Sequence, residues 1–278
     1  MTSAQVVRGG MTVLLAAGGL VWMNSLGSLQ LPTVLAYSGL VVFCAGLVTV
    51  LLPVRWSGFS RRINGLLVGV VVGAALFAAG WFWPARTVRI SAPSSRLDMY
   101  MPSYDFHERH ELSIHAPAER VREVLNKISF ADVGVVQTLG RIRAIAMGHL
   151  RTPRGGAPPA LPILQTMNDP RSGFFPLDDT GGEFVFGLAG QPWNNVAVRL
   201  KPDEFCAWVR PDNVKIAVNF LIEDLGDNRC RAVSETRVAA NDESARRKMA
   251  KYWTLIYPGT GMIRRSLLEA IRVRAERP

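Results

Sequence analysis

Three of the chain's four histidines stand close together, His107, His110 and His115 in YDFHERHELSIHAP, and such a cluster raises the question of a metal or an acid–base centre. The surrounding pattern answers part of it. His110, Leu112 and Ile114 alternate with Arg109, Glu111 and Ser113, the period of a strand with one buried face. Neighbouring strand side chains point to opposite faces, so His107 and His110 cannot chelate one ion without a bulge. The expectation is therefore no metal and no cofactor. His110 shares the inward face of Leu112 and Ile114. It reads either as a hydrogen-bonded interior histidine or as a general acid or base. A second polar group, Glu235 and Arg237 with Asn219 and Lys215 across the ladder, has two readings that depend on register. It is an exposed polar ladder in one, and an acid and an anchor under a covering helix in the other. No nucleophile elbow, phosphate loop, H-E-x-x-H or dinucleotide fingerprint occurs. Glycines 259 and 261 lack the preceding strand that a phosphate site needs. No catalytic residue is assignable, and His110 is the one candidate.

The elements that would position these groups follow in order. After the histidine strand, Pro117 opens a helix with Val121, Val124, Leu125 and Ile128 on one stripe. A second helical stretch is expected from about Asp132 to Met147, with Val136, Leu139 and Ile142 in register. A Pro- and Gly-rich loop over 151–162 leads to a short helix ending near Met167, then a hairpin through GFFPLDD and EFVFGLAG. Pro202, Asp203 and Glu204 start a helical turn. NVKIAVNFLIED and CRAVSETRVA are strands joined at Gly226, Asp227 and Asn228. A three-residue turn pairs Phe220 with Ser234, Val218 with Thr236 and Ile216 with Val238, whereas a two-residue turn places Glu235 and Arg237 under the helix. We favour the former. A capped turn at Asn241 and Asp242 precedes a long amphipathic helix. Met249, Trp253 and Ile256 recur on one face, Tyr252 sits at its edge, and Ile263, Leu267 and Ile271 continue the stripe past an expected interruption at Pro258.

The first third differs in kind. The chain has 278 residues and is 49% hydrophobic, and the apolar excess lies almost wholly before Trp83. Residues 11–29, 33–52 and 63–83 are charge-free and about long enough to cross a bilayer core of ~30 Å, which predicts three transmembrane helices. Trp81 and Trp83 suit an interfacial belt, while Asn24 needs a partner on another helix. Gly65, Gly69 and Gly73 share one face, fit either for packing among the chain's own helices or for self-association. Arg8, Arg55, Arg61 and Arg62 would lie on the cytoplasmic side, against the contrary weight of Arg86, Arg89 and Arg96. This makes the chain a multi-pass cell-membrane protein with its domain outside the cytoplasm. Residues 84–104 read as a linker and 105–278 as a folded domain. The net charge of +10 is concentrated in the first 104 and last 35 residues. The body between is slightly acidic, which argues against nucleic acid and for anionic lipid nearby. Of three cysteines, Cys44 lies in an apolar run. Cys206 and Cys230 read as one bridge or as two unpaired structural thiols.

The words HELSIHAPAERVREVL, FVFGLAGQPW, KIAVNFLIEDLGDNRCRAVSETRV, ARRKMAKYW, IYPGTGMIRRSLLEAI and RAE, in this order, resemble the START-related helix-grip superfamily and within it the polyketide cyclase/dehydrase-like SRPBCC proteins. The resemblance covers most of residues 105–277. It implies an α+β helix-grip fold, a curved antiparallel sheet around the long C-terminal helix, here preceded by three transmembrane helices. It also implies a cavity that in many members holds an apolar ligand. Such cavities serve lipid transfer, sensing or ring-forming chemistry, so fold alone does not choose a function. The expected lining is His110, Leu112, Val218, Phe220, Ser234, Thr236, Met249, Tyr252 and Trp253. The expected partner is a membrane lipid or an apolar small molecule bound without catalysis by a membrane-tethered domain. The alternatives are a cyclase- or dehydrase-type enzyme using His110, or a structural or regulatory membrane protein that associates through Gly65, Gly69 and Gly73.

Overall fold

The computed structural model describes residues 30–51, 65–134, 136 and 161–277. They fall into two compact units: residues up to Pro84 together with Trp253–Pro258, and Ala85–Tyr252 together with Gly259–Pro278.

In the first unit, helix α1 (Leu31–Leu51) pairs with a π-helix (Gly65–Val72) that continues as α2 (Gly73–Trp81). Glycines on both sides let the backbones meet. A Cβ on Gly69 would come 2.0 Å from the Gly46 Cα, and one on Gly73 would come 2.4 Å from the Phe43 nitrogen. Gly69 and Gly73 therefore face α1 of their own chain. Among the described residues no helix is long and apolar enough to cross a membrane, which overturns the expectation of three transmembrane helices. Run 63–83 is not one α-helix: its α-helical part, α2, has nine residues and rises only ~14 Å. The first expected span, 11–29, lies outside the described residues.

The second unit is α+β. Strands β3 (Phe106–Ile114), β4 (Phe175–Asp178), β5 (Glu183–Gln191), β6 (Val196–Val198), β7 (Val214–Gly226) and β8 (Arg229–Ala240) form one curved antiparallel sheet. Its order is β3-β8-β7-β5-β4, with β6 on β5. The preceding short strands β1 (Val88–Arg89) and β2 (Ser103–Tyr104) pair with each other. Helix α3 (Arg96–Tyr100) lies between them, closed by a Ser95–Asp98 capping box. Within the stretch whose composition suggested a linker, residues 88–104 form ordered elements that cover the sheet. Leu97, Met101 and Tyr104 bury themselves with Phe175, Leu177, Val185, Phe205 and Ala217 on the outer face of the sheet. Three well-placed apolar side chains suffice for that, too few to register as a periodicity.

Helix α4 (Ala118–Lys127) buries Val121 and Leu125, as its stripe predicts. The short helices α5 (Ile163–Asn168) and α6 (Pro202–Phe205) stand where they were expected. Most of the expected helix over 132–147, including Leu139 and Ile142, lies outside the described residues. The C-terminal helix α7 (Glu243–Ala275) is capped by the Asp242 carboxylate, which accepts from the Ala245 N–H at 2.7 Å. It does not break at Pro258 but runs through it. A proline deletes one backbone donor, and packing along the rest of a 33-residue helix outweighs that loss. Its Leu267, Leu268, Ile271 and Ala275 join Val218, Phe220, Ile222, Cys230, Ala232, Ile114 and the α4 stripe in the main core. Cys206 and Cys230 are both free thiols.

The β7–β8 register is the favoured one: Phe220 opposes Ser234, Val218 opposes Thr236 and Ile216 opposes Val238. The means differ from a plain three-residue turn. Asp227 and Asn228, both left-handed at φ 50° and 53°, form a two-residue connection, and Leu225 is bulged out between Asp224↔Cys230 and Gly226↔Arg229. The bulge restores the parity that a two-residue turn alone would reverse. Deleting Leu225 removes the extra residue and makes Gly226↔Arg229 and Asp224↔Cys230 adjacent pairs of a plain two-residue hairpin. It should keep Phe220 opposite Ser234 and leave urea unfolding of the domain cooperative, whereas inserting a residue beside Leu225 should broaden it. Leu225→Ala, at an exposed position, should change stability by less than about 0.5 kcal/mol in the same titration.

Candidate functional site

Strand alternation sends Glu108 and His110 of β3, with Ser234 and Thr236 of β8, to the inner face. All four are buried. Over them runs the Gly259–Ala275 part of α7, where Gly261 permits a close approach: a Cβ there would stand 3.0 Å from Glu108 Oε1 and 3.5 Å from His110 Nε2. His110 Nε2 lies 2.9 Å from Glu108 Oε1, and Arg265 Nε donates to His110 Nδ1 at 3.5 Å. An arginine only donates, so Nδ1 is the acceptor and Nε2 carries the hydrogen that reaches Glu108. Thr260 Oγ1 donates to the other Glu108 oxygen at 2.7 Å. Arg264 lays its fork on two hydroxyls: Nη1 donates to Ser234 Oγ at 2.5 Å and Nη2 donates to Thr236 Oγ1. The carboxylate beside it, Glu108, is 3.9 Å from Nε. Only 14% of the Arg264 side chain is exposed. Burial pulls its pKa below the usual guanidinium value, against the opposing charges of Glu108 and Glu235.

The inner face is divided along the strand direction. β3 and β8 contribute the polar centre. The neighbouring β7 places Val218 and Phe220 beside Thr236 and Ser234, and β5 places Phe184 and Phe186 beside those. Every residue of these four β5 and β7 positions is apolar.

Glu235 and Arg237 lie on the outer face, as the favoured register requires, but they are not an exposed ladder. Both are buried beneath residues 88–104. Arg237 Nε donates to Glu235 Oε1 at 2.6 Å, and its Nη1 reaches Asp98 Oδ1 at 2.7 Å and the Met101 carbonyl at 3.1 Å. Its guanidinium stands 4.9 Å over the Tyr104 ring. His107 Nε2 sits 3.0 Å from Glu235 Oε1, so the two histidines of the strand do serve opposite faces. Asn219 accepts from the Glu235 N–H and donates to Glu183, which in turn takes the N–H groups of Arg96 and Leu97 at the start of α3. Lys215, expected in this ladder, instead donates to the Cys206 carbonyl at 2.7 Å. Among the described residues no three His, Cys, Asp or Glu side chains gather as a metal site.

Of the expected lining residues, His110, Ser234 and Thr236 meet in the polar centre, with Val218 and Phe220 beside it and Leu112 half-buried against the core. Met249 is buried and Tyr252 half-buried. Trp253 is buried with its ring 5.8 Å from that of Tyr257. Glu108, Thr260, Arg264 and Arg265 were not anticipated. Two of them were within reach: extending the β3 alternation by one step includes Glu108, and Arg264 precedes Leu267, Leu268 and Ile271 at helical spacing. Their charge disguised them as surface residues.

In comparisons with protein-family models, curated proteins and solved structures, nothing matches this chain.

The outer network makes stability depend on acid. Burial raises the Asp98 carboxyl, but the Ser94 and Ser95 N–H groups and Arg237 outweigh it and hold it at about 2. Burial likewise raises Glu235, and His107 and Arg237 bring it below the usual range. A carboxyl depressed in the folded state stabilises the protein above its unfolded value and loses that contribution as pH falls towards the folded one. Urea midpoints should therefore drop between about pH 4 and pH 2, more steeply in the wild type than in Asp98→Asn. At neutral pH, Asp98→Ala should cost about 3–5 kcal/mol by leaving Arg237 buried and short of a partner.

Proposed function

We propose that the domain is a START-related helix-grip module that binds an apolar small molecule or lipid between the sheet and the Gly259–Ala275 part of α7, without transforming it. The observation that carries this reading is the division of the inner face. An apolar strip from β5 and β7 runs beside a compact polar centre on β3 and β8, the lining of a site that takes an apolar body and orients it by a few polar groups. The helix-grip order of elements and the resemblance of residues 105–277 support the same reading.

A cyclase- or dehydrase-type reaction through His110 is less well supported. Both imidazole nitrogens are engaged, one by Glu108 and one by Arg265, which leaves neither directed at a substrate. Association through Gly65, Gly69 and Gly73 has less support still, since Gly69 and Gly73 are taken up by α1 of the same chain.

The full chain, purified without added detergent and extracted with organic solvent, should release an apolar compound near one equivalent by mass spectrometry. It should also take up a fluorescent apolar probe that the extract displaces. An extract without such a compound, together with no probe uptake, overturns the reading.

A further inference from the structure

We propose that the ligand carries a carboxylate and that Arg264 is the group that receives it; this rests on the ligand-binding reading above. A guanidinium has five N–H donors in a rigid fork, and its natural complement is a carboxylate held by two parallel hydrogen bonds. Arg264 lacks that complement. Ser234 and Thr236 take one donor each on Nη1 and Nη2, and both are neutral hydroxyls. Nε is buried and has no hydrogen-bond partner among the described residues. Glu108, the carboxylate beside it, spends one oxygen on His110 and the other on Thr260, and stands 3.9 Å away. An orphan donor on a largely desolvated cation is costly, and native proteins satisfy such groups from within or from outside the chain.

The surroundings fit a receiver better than a structural tie. The two hydroxyls hold the plane of the guanidinium, and Glu108 at 3.9 Å offsets part of its charge without taking a hydrogen bond, so the Nε donor is oriented and still open. Nε and the adjacent edge of Nη2 form the side-on fork that a carboxylate engages bidentately. On the next strand Val218 and Phe220 lie level with Thr236 and Ser234 and pack in the main core with Leu267, Leu268 and Ile271, so the body of an acid docked on Arg264 would lodge among apolar side chains that must part to admit it. Burial lowers the affinity of Arg264 for its proton, and a bound carboxylate would reverse that. The ligand class is thus a fatty-acid-like amphiphile and not a neutral lipid or alcohol.

The test measures displacement of a fluorescent apolar probe from the full chain by three matched competitors: dodecanoate, methyl dodecanoate and dodecanol. Dodecanoate should bind the wild type at least about tenfold more tightly than either neutral analogue. Arg264→Gln should erase that preference, with dodecanoate losing about tenfold more affinity than the ester or the alcohol. Ser234→Ala, which keeps the charge but frees half of the fork, should reduce the preference by several-fold, a second variant should Arg264→Gln fail to fold. Equal binding of all three competitors to the wild type overturns the carboxylate assignment and leaves the ligand-binding reading standing. Absence of binding by probe and competitors alike removes both.

Discussion

The pairing of β7 with β8 is the constraint on which the rest of the domain depends. β8 is an inner strand of the sheet, between β3 and β7, and its side chains alternate between two sharply different environments. Ser234 and Thr236 point towards α7, while Glu235 and Arg237 point towards residues 88–104. A slip of one residue would place the ion pair against the helix and the hydroxyls under the cover. The bulged Leu225 and the left-handed Asp227–Asn228 connection hold the strand against that slip. Such a small device is sufficient because every alternate residue of the long ladder reinforces it.

Charge is buried against each face of β8, but in different ways. On the outer face, Arg237 meets two carboxylates and a backbone carbonyl, and Glu183 and Asn219 secure the start of α3. That network is closed: its members satisfy one another, and it fastens the 88–104 cover to the sheet. On the inner face, Glu108 is satisfied by His110 and Thr260, while Arg264 rests on hydroxyls with one donor left over. Buried charges are costly to desolvate unless paired and hydrogen-bonded. The closed network therefore reads as structure and the incomplete one as a site.

Much of the domain was legible from pattern. Period-two alternation in β3, β7 and β8 and the α4 stripe produce the sheet and its main core, because burying one face of each element is the dominant favourable term. The opposite orientation of His107 and His110 follows from the same alternation. What escaped reading had local patterns that look like something else. Residues 84–104 have too few apolar side chains to show a period. Glu108 and Arg264 sit at core positions with charged side chains that ordinarily mark a surface. The apolar run over 63–83 has the composition of a membrane span. Its described part nonetheless divides between a π-helix and a nine-residue α-helix, because hydropathy reports solvent preference and not helix type or continuity.

The amino-acid sequence by itself determined the order of elements in the domain, the faces of its strands and the capped start of the last helix, since these depend on neighbours a few residues apart. Tertiary structure alone decided which charges are buried, what each of them meets and whether each is satisfied. It brought Arg264 back to Ser234 and Thr236 on the preceding strand, and it joined Thr260 to Glu108 and Asp98 to Arg237 across more than a hundred residues of chain. The physical reason is that electrostatic and hydrogen-bond energies depend on distance and desolvation, which no periodicity encodes. Whether a polar group in a core is a fastening or a receptor rests on whether its last donor has found an acceptor.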